Sequence, residues 1–423
     1  MDNLNENGTP LPEAHAVKEK RDRTQFAAGI ITGALVMAIV MLIVVLMVIR
    51  HYSSAKTANT GFVSTGESVI DEELITKIDQ IRSILDSKSI YDIDDENLKT
   101  GIIDGMLAAT GDKYAYYYTA EEIESQMETY TGSFYGIGVV LFMDEGNLPT
   151  ITNVYEDSPA EKAGFKSGDI IREVDGEDVS QLDLDGIVSR VRGEKGTKVE
   201  IVVWRESEGG NVTLYPVRDE IKEIVVEYEM KTDDIGYVHI EAWYDTTAEQ
   251  FDNAIKTLES QGMDKGLIID LRSNTGGLLN AAIECLDVCL PEEPVLYVED
   301  NTGKRTSYNT YDPDEVDIPI VILTDGYTAS ASEIFTGAMK DYNKAISLGT
   351  ETYGKGVVQS FYYLYDESAM KLTTEQYFTP NGTAIDGDGI DPDIEVKFDS
   401  ESYNDPDNPS DNQLDAAIKY LNE

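Results

Sequence analysis

The sequence predicts a multidomain chain of mixed class, in which a small β-rich domain and an α/β domain follow one transmembrane helix. Three observations carry this. Phe26–Ile49 is an apolar run without a charge. From Gly132 to about Val226, short strand-like runs alternate with turn residues. From about Glu227, apolar strands alternate with amphipathic helices. The 423 residues are too many for one ordinary core, which agrees with several domains.

The first element is the apolar run. Its 24 residues would make a helix roughly 36 Å long, enough for a hydrocarbon core of about 30 Å. Lys18, Lys20, Arg21 and Arg23 precede it, while Arg50 and Lys56 follow. The excess of bases before the run places residues 1–25 in the cytoplasm and everything after about residue 50 outside. Ser53–Ala55 weakly resembles a signal-peptidase site, but the run exceeds a usual signal core, so an uncleaved anchor over 26–49 is expected.

Residues 50–68 are small, polar and aperiodic, as in a linker. Residues 69–131 read as a helical region. "DEELITKIDQIRSILDSK" places Leu74, Ile78, Ile81 and Leu85 on one face, and "DDENLKTGIIDGMLAATGD" repeats the habit. Two readings stay open for these helices, a homodimer contact or a plain N-terminal subdomain. Residues 132–219 form the β-rich domain, with strands in "GIGVVLFM", "LPTITNVY", "DIIREVDG" and "KVEIVVWRE". Residues 220–423 form the α/β domain. Its repeated β-α units imply a largely parallel sheet, whose ligands bind beyond the carboxyl ends of the strands. Three loops meet that expectation: "RSNTGG", "DGYTASAS" and "TYGKGVVQ".

Composition excludes several chemistries. The net charge of −47 argues against a nucleic-acid partner, which needs clustered Lys and Arg. Cys285 and Cys289, four apart in a helical pattern, suit neither a disulfide nor a metal site and read as small buried hydrophobes. Of three histidines, only His239 falls in the folded part, mid-strand, where it reads as a core or surface residue. No zinc pattern or P-loop is present, so no metal or other cofactor is expected.

A hydrolase of this composition needs a base other than histidine. Lysine can serve when burial disfavours its charged form. Lys355 in "TYGKGVVQ" has glycines on both sides and apolar Val357 and Val358 beside it, although an ordinary turn lysine looks the same. Ser330 opens the helix after "IPIVIL", where the free N–H groups favour developing negative charge. Glu333 there could equally mark a plain capping box, and Ser332 points to another side with a structural role. The glycines of "LRSNTGG" read either as a tight turn or as half of an oxyanion hole.

Taken together, "DLRSNTGG", "ASASE", "YGKGVVQ" and "MKLTTEQYFTPNGTAIDGDGIDPDI" resemble the carboxyl-terminal processing peptidases, or tail-specific proteases. The likeness covers about residues 70–420. "GIGVVL", "SPAEKAGFKSGDIIREVDG" and "VRGEKGT" look like a PDZ domain. The resemblance implies a crotonase/Clp-protease-like peptidase core with a serine–lysine dyad. Ser330 would be the nucleophile, Lys355 the base and Gln359 the residue that positions the lysine. Gly276 and Ala331 would supply the oxyanion hole. Phe134, Tyr135, Gly136, Ile137, Gly138 and Val139 match the PDZ loop that captures a C-terminal carboxylate, beside which the peptide adds a strand. Arg192 resembles an arginine that couples PDZ position to the active site. The expected partners are proteins or peptides with exposed C-termini, and the expected place is the cell membrane with the catalytic part outside. The rival expectation is a catalytically silent PDZ scaffold of the cell envelope.

Overall fold

The computed structural model describes residues 69–144, 146–313, 315–405 and 409–423. The expected anchor at 26–49 lies outside them, and among the described residues no helix is long and apolar enough to cross a membrane. Two compact units divide the chain: residues up to Lys99 with Tyr363–Glu367, and Thr100–Tyr362 with Ser368–Glu423. In the first, helix α1 (Glu72–Lys88) begins at Asp71, whose carboxylate accepts from the Leu74 N–H at 2.8 Å. No residue of α1 is buried, and Leu74 and Ile81 of its expected apolar face are exposed. Helix α2 (Asp95–Ala108) follows.

The second unit continues with β1 (Tyr116–Tyr118), α3 (Ala120–Thr131) and β2 (Ser133–Gly136). The β-rich domain holds β3 (Val139–Met143), β4 (Pro149–Val154), α4 (Pro159–Ala163), β5 (Ile170–Val174), β6 (Glu177–Asp178), α5 (Leu184–Val191), β7 (Ile201–Arg205) and β8 (Gly210–Leu214). Its sheet runs β3-β4-β5-β7-β8, with β6 paired to β5. Ile151, Ile171, Ile187, Ile201 and Val203 fill its core. The buried Asp169 carboxylate takes two hydrogen bonds from Arg205, each 2.7 Å, and so removes the need for water at either charge. The chain leaves through β9 (Asp219–Lys222), which pairs antiparallel with β2, so entry and exit form one two-stranded ribbon.

The α/β domain contains β10 (Val226–Met230), β11 (Ile235–Ile240), α6 (Thr247–Gln261), β12 (Gly266–Asp270), α7 (Leu279–Cys289), β13 (Pro294–Asp300), β14 (Arg305–Asn309), β15 (Ile320–Thr324), α8 (Ala331–Asp341) and β16 (Ala345–Gly349). After it come β17 (Val357–Tyr363), β18 (Ala369–Phe378), β19 (Ile394–Glu395), α9 (Ser400–Tyr403) and α10 (Asn412–Asn422). The main sheet runs β10-β11-β12-β15-β16-β19, parallel from β11 onward. Every residue of β12 and β15 is buried, because both faces are covered. Ile269 and Ile322 pack with Phe251, Leu286 and Phe335 of α6, α7 and α8. Ile268, Val321 and Leu323 pack with Ala417 and Leu421 of α10. Cys285 and Cys289 are free and buried in the first cluster, as expected, and burial pushes the Cys289 thiol up to about 12.

Sequence periodicity did not predict the second sheet. It runs β1-β18-β13-β14, with β17 paired to β18. Tyr116 of β1 lies opposite Lys371 of β18, a pairing between distant parts of the chain that no local pattern records.

Candidate active site

The three loops named from the sequence follow the carboxyl ends of neighbouring parallel strands β12, β15 and β16. They line a cleft of about 560 Å³ containing Gly276, Ser330, Ala331, Lys355 and Gln359. The structure therefore brings the five proposed catalytic and oxyanion residues to one place.

Ser330 ends the turn after β15 and immediately precedes α8. Its backbone, at φ 56° and ψ −115°, lies where a residue with a Cβ is strained, at a cost of order 1–3 kcal/mol. Such strain needs surrounding bonds to hold it. The Ser330 N–H donates to the Glu333 carboxylate at 2.8 Å, and the Glu333 and Ile334 N–H groups donate to the Ser330 carbonyl at 2.9 and 3.0 Å. Accordingly, Ser330→Gly is expected to be about 1 kcal/mol more stable than Ser330→Ala, because only glycine adopts this conformation without strain. Denaturant midpoints compare the two, and equal midpoints would mean that the folded protein does not hold this φ.

Ser332 is fully buried and structural, as expected, although its partners lie outside the helix. Its hydroxyl accepts from the Trp243 indole N–H at 2.8 Å and donates to the Asn274 carbonyl at 3.2 Å. Asn274 is also fully buried and shapes the glycine loop. Its side chain donates to the Ile240 carbonyl at 2.8 Å, and its oxygen accepts from the Gly276 N–H at 2.9 Å.

That last bond bears on the oxyanion hole. The Gly276 N–H is occupied, whereas the N–H groups of Gly277 and Ala331 have no partner among the described residues. Gly276 instead matters for its missing side chain. At φ 106°, a Cβ there would lie 2.8 Å from the Ser330 Cβ and 2.9 Å from the Ala329 carbonyl oxygen.

Lys355 is half-buried, and its ammonium forms no ion pair among the described residues. Burial holds it below the usual lysine range; the charges of Lys371 and Lys113 add to this, while Glu333 opposes it. The lysine nitrogen sits over the Tyr114 ring, 4.9 Å from its centre. No hydrogen bond joins it to the Ser330 hydroxyl or to Gln359 among the described residues; the Gln359 amide donates to the Val357 carbonyl at 3.3 Å.

Two further residues tie the Ser330 and Lys355 loops together. The fully buried Glu333 carboxylate accepts from Ser330 N–H, Lys355 N–H (2.9 Å), Gly354 N–H (2.7 Å) and the Thr352 hydroxyl (2.6 Å). The Tyr377 hydroxyl lies against the carbonyls of Ser330, at 3.2 Å, and of Lys355. Burial keeps that phenol far above its ordinary range, so it remains a donor. In the sequence Glu333 reads only as a capping acid and Tyr377 has no role; its one signal is its place in "MKLTTEQYFTPNGTAIDGDGIDPDI".

In the β-rich domain, β3 is an edge strand, and the N–H groups of Ile137 and Gly138 before it have no partner among the described residues. Ile137 itself is buried in the core. Arg192 packs over the Phe134 ring at 4.5 Å and lies 3.9 Å from Glu128 of α3. It thus touches both the loop and the helix outside the domain.

Comparison with known proteins places the chain in a family. Peptidase family S41 matches residues 234–396, and a PDZ domain matches residues 150–205. A carboxy-terminal-processing protease of Bartonella bacilliformis is 36% identical over 72% of this chain and 70% of its own. The chain belongs to peptidase family S41. A protein of Staphylococcus saprophyticus described as a probable CtpA-like serine protease is also 36% identical, over 76% of this chain. The S41 chain spans 65% of that relative's length, and 66% of a similar Staphylococcus aureus protein. Among solved structures, the photosystem II D1 C-terminal processing protease is 26% identical, covering 76% of this S41 chain and 86% of its own, with a TM-score of 0.45.

Proposed function

We propose that the chain is a membrane-anchored, extracytoplasmic serine endopeptidase that takes substrates by their C-terminal tails. One observation carries the reading: a strained serine at a helix start shares a cleft with a desolvated lysine that has no ion-pair partner among the described residues. Neutral Lys355 removes the proton from Ser330 as its oxygen attacks the scissile carbonyl. Ala331 N–H is one oxyanion donor. Gly277 N–H is the second in the present conformation, and Gly276 becomes available if it releases Asn274. Lys355 then protonates the leaving amine, and water, activated by the same lysine, cleaves the acyl-enzyme. Gln359 turns toward the lysine when substrate enters.

The edge strand β3 and the N–H groups of Ile137 and Gly138, unpartnered among the described residues, support capture of a peptide carboxylate with strand addition. Arg192, placed between Phe134 and Glu128, reports the domain's position to the cleft. The bases before the apolar run 26–49 support a cytoplasmic N-terminus and an external catalytic part.

The test compares cleavage of an unfolded protein by the full chain and by Ser330→Ala. Wild type should cleave, and the variant should lose at least about 10³-fold in rate. Equal rates would remove Ser330 from the mechanism, and equal inactivity with every tail offered would favour a silent scaffold.

A further inference from the structure

The geometry points to Lys371 as a binding site for a substrate carboxylate within the proposed peptidase cleft. Lys371 belongs to β18 and lines the same cleft as Ser330 and Lys355. It is half-buried, and its ammonium donates to the Tyr118 hydroxyl at 3.0 Å. Among the described residues it has no ion pair. The nearby Asp112 carboxylate is engaged with the Thr373 N–H and hydroxyl and with the Tyr114 N–H.

A lysine held this way has donors to spare. An ammonium carries three protons, and a neutral phenol accepts only one of them here. Partial burial also makes an unpaired charge costly, so an incoming carboxylate relieves a cost already present in the free protein. The cleft lining agrees. Among the described residues its one carboxylate is Asp245, which is exposed, in a chain whose net charge is −47. Lys355, the other lysine of the lining, lies over the Tyr114 ring and is already assigned to the serine, which leaves the Lys371 ammonium to meet a ligand. The ligand is therefore a carboxylate on an extended peptide, either an Asp or Glu side chain or the free α-carboxylate of the tail.

This inference rests on the peptidase reading for its substrate, and its test separates the two. The full chain with Ser330→Ala holds peptides uncleaved. Short fluorescent peptides carry Glu, Gln or Lys at each position in turn, with the C-terminus either free or amidated. Amidated Glu peptides should bind on the order of tenfold tighter than their Gln counterparts at one position. Lys371→Met should abolish that advantage, Lys371→Arg should keep it, and Lys371→Glu should transfer it to Lys peptides.

If the advantage appears only with a free C-terminus and disappears in Lys371→Met, the α-carboxylate is the ligand. A free-carboxylate advantage that survives Lys371→Met belongs to the PDZ loop. Undiminished discrimination in Lys371→Met, or equal weakening of all peptides with no reversal in Lys371→Glu, overturns the proposal. Thermal melts of the three variants check folding. Parallel cleavage assays use the Ser330 chain. Cleavage without charge discrimination leaves the peptidase and removes the subsite; Lys371-dependent binding without any cleavage does the reverse.

Discussion

Glu333→Gln is expected to lose roughly 3–5 kcal/mol of stability, and at least about 10²-fold in cleavage rate at temperatures where it remains folded. The carboxylate is fully buried and receives four donors. Glutamine offers one acceptor oxygen in place of two, and its NH₂ would face groups that also donate. At least one pair of buried N–H or hydroxyl groups would then go unsatisfied, each at about 1–3 kcal/mol. Because the bonds reach Ser330 on one loop and Gly354 and Lys355 on the other, their loss separates Ser330 from Lys355 as well as loosening the fold. Denaturant unfolding and kcat measured side by side check both parts. Wild-type stability in this variant would mean that the carboxylate does not hold the four donors.

Cleavage should rise about tenfold per pH unit until Lys355 is largely neutral, then level off below the ordinary lysine value of about 10.4. The sign follows from the base's role: the protonated ammonium cannot accept the Ser330 proton. Desolvation lowers the lysine's pKa, with Lys371 next in importance, so Lys371→Met should move the inflection to higher pH. Lys355→Arg, permanently charged, should lose at least about 10³-fold at every pH. A pH–rate profile of kcat/KM checks all three statements. A profile that falls between neutral and mildly alkaline pH would exclude Lys355 as the base.

Local chemistry made much of the fold legible. Strands β12 and β15 read as buried because they lie between two helical layers and need no polar face. The serine, lysine and glycine loops were legible as candidates from their small residues and the scarcity of histidine, but their roles came only from the family resemblance. Four things were not. The bond from Asn274 to Gly276 depends on a side-chain direction. The strain at Ser330 is a backbone angle, and serine gives no sign of it. The sheet that carries Lys371 and Tyr377 joins segments far apart in the chain. Glu333 resembles any helix-capping acid until the fold brings the Lys355 loop against it.

Long-range contacts also set an order in time. Arg272, two residues before the Asn274 that shapes the glycine loop, bonds to Asp411, 139 residues later in the chain. Tyr118 meets Lys371 across a separation of 253 residues. Contacts so distant form only after the whole intervening chain is available. A nascent molecule therefore lacks a finished cleft, whatever residues it has already displayed. The pocket is thus denied to any ligand until the chain has been made at least as far as Tyr377, which lines it.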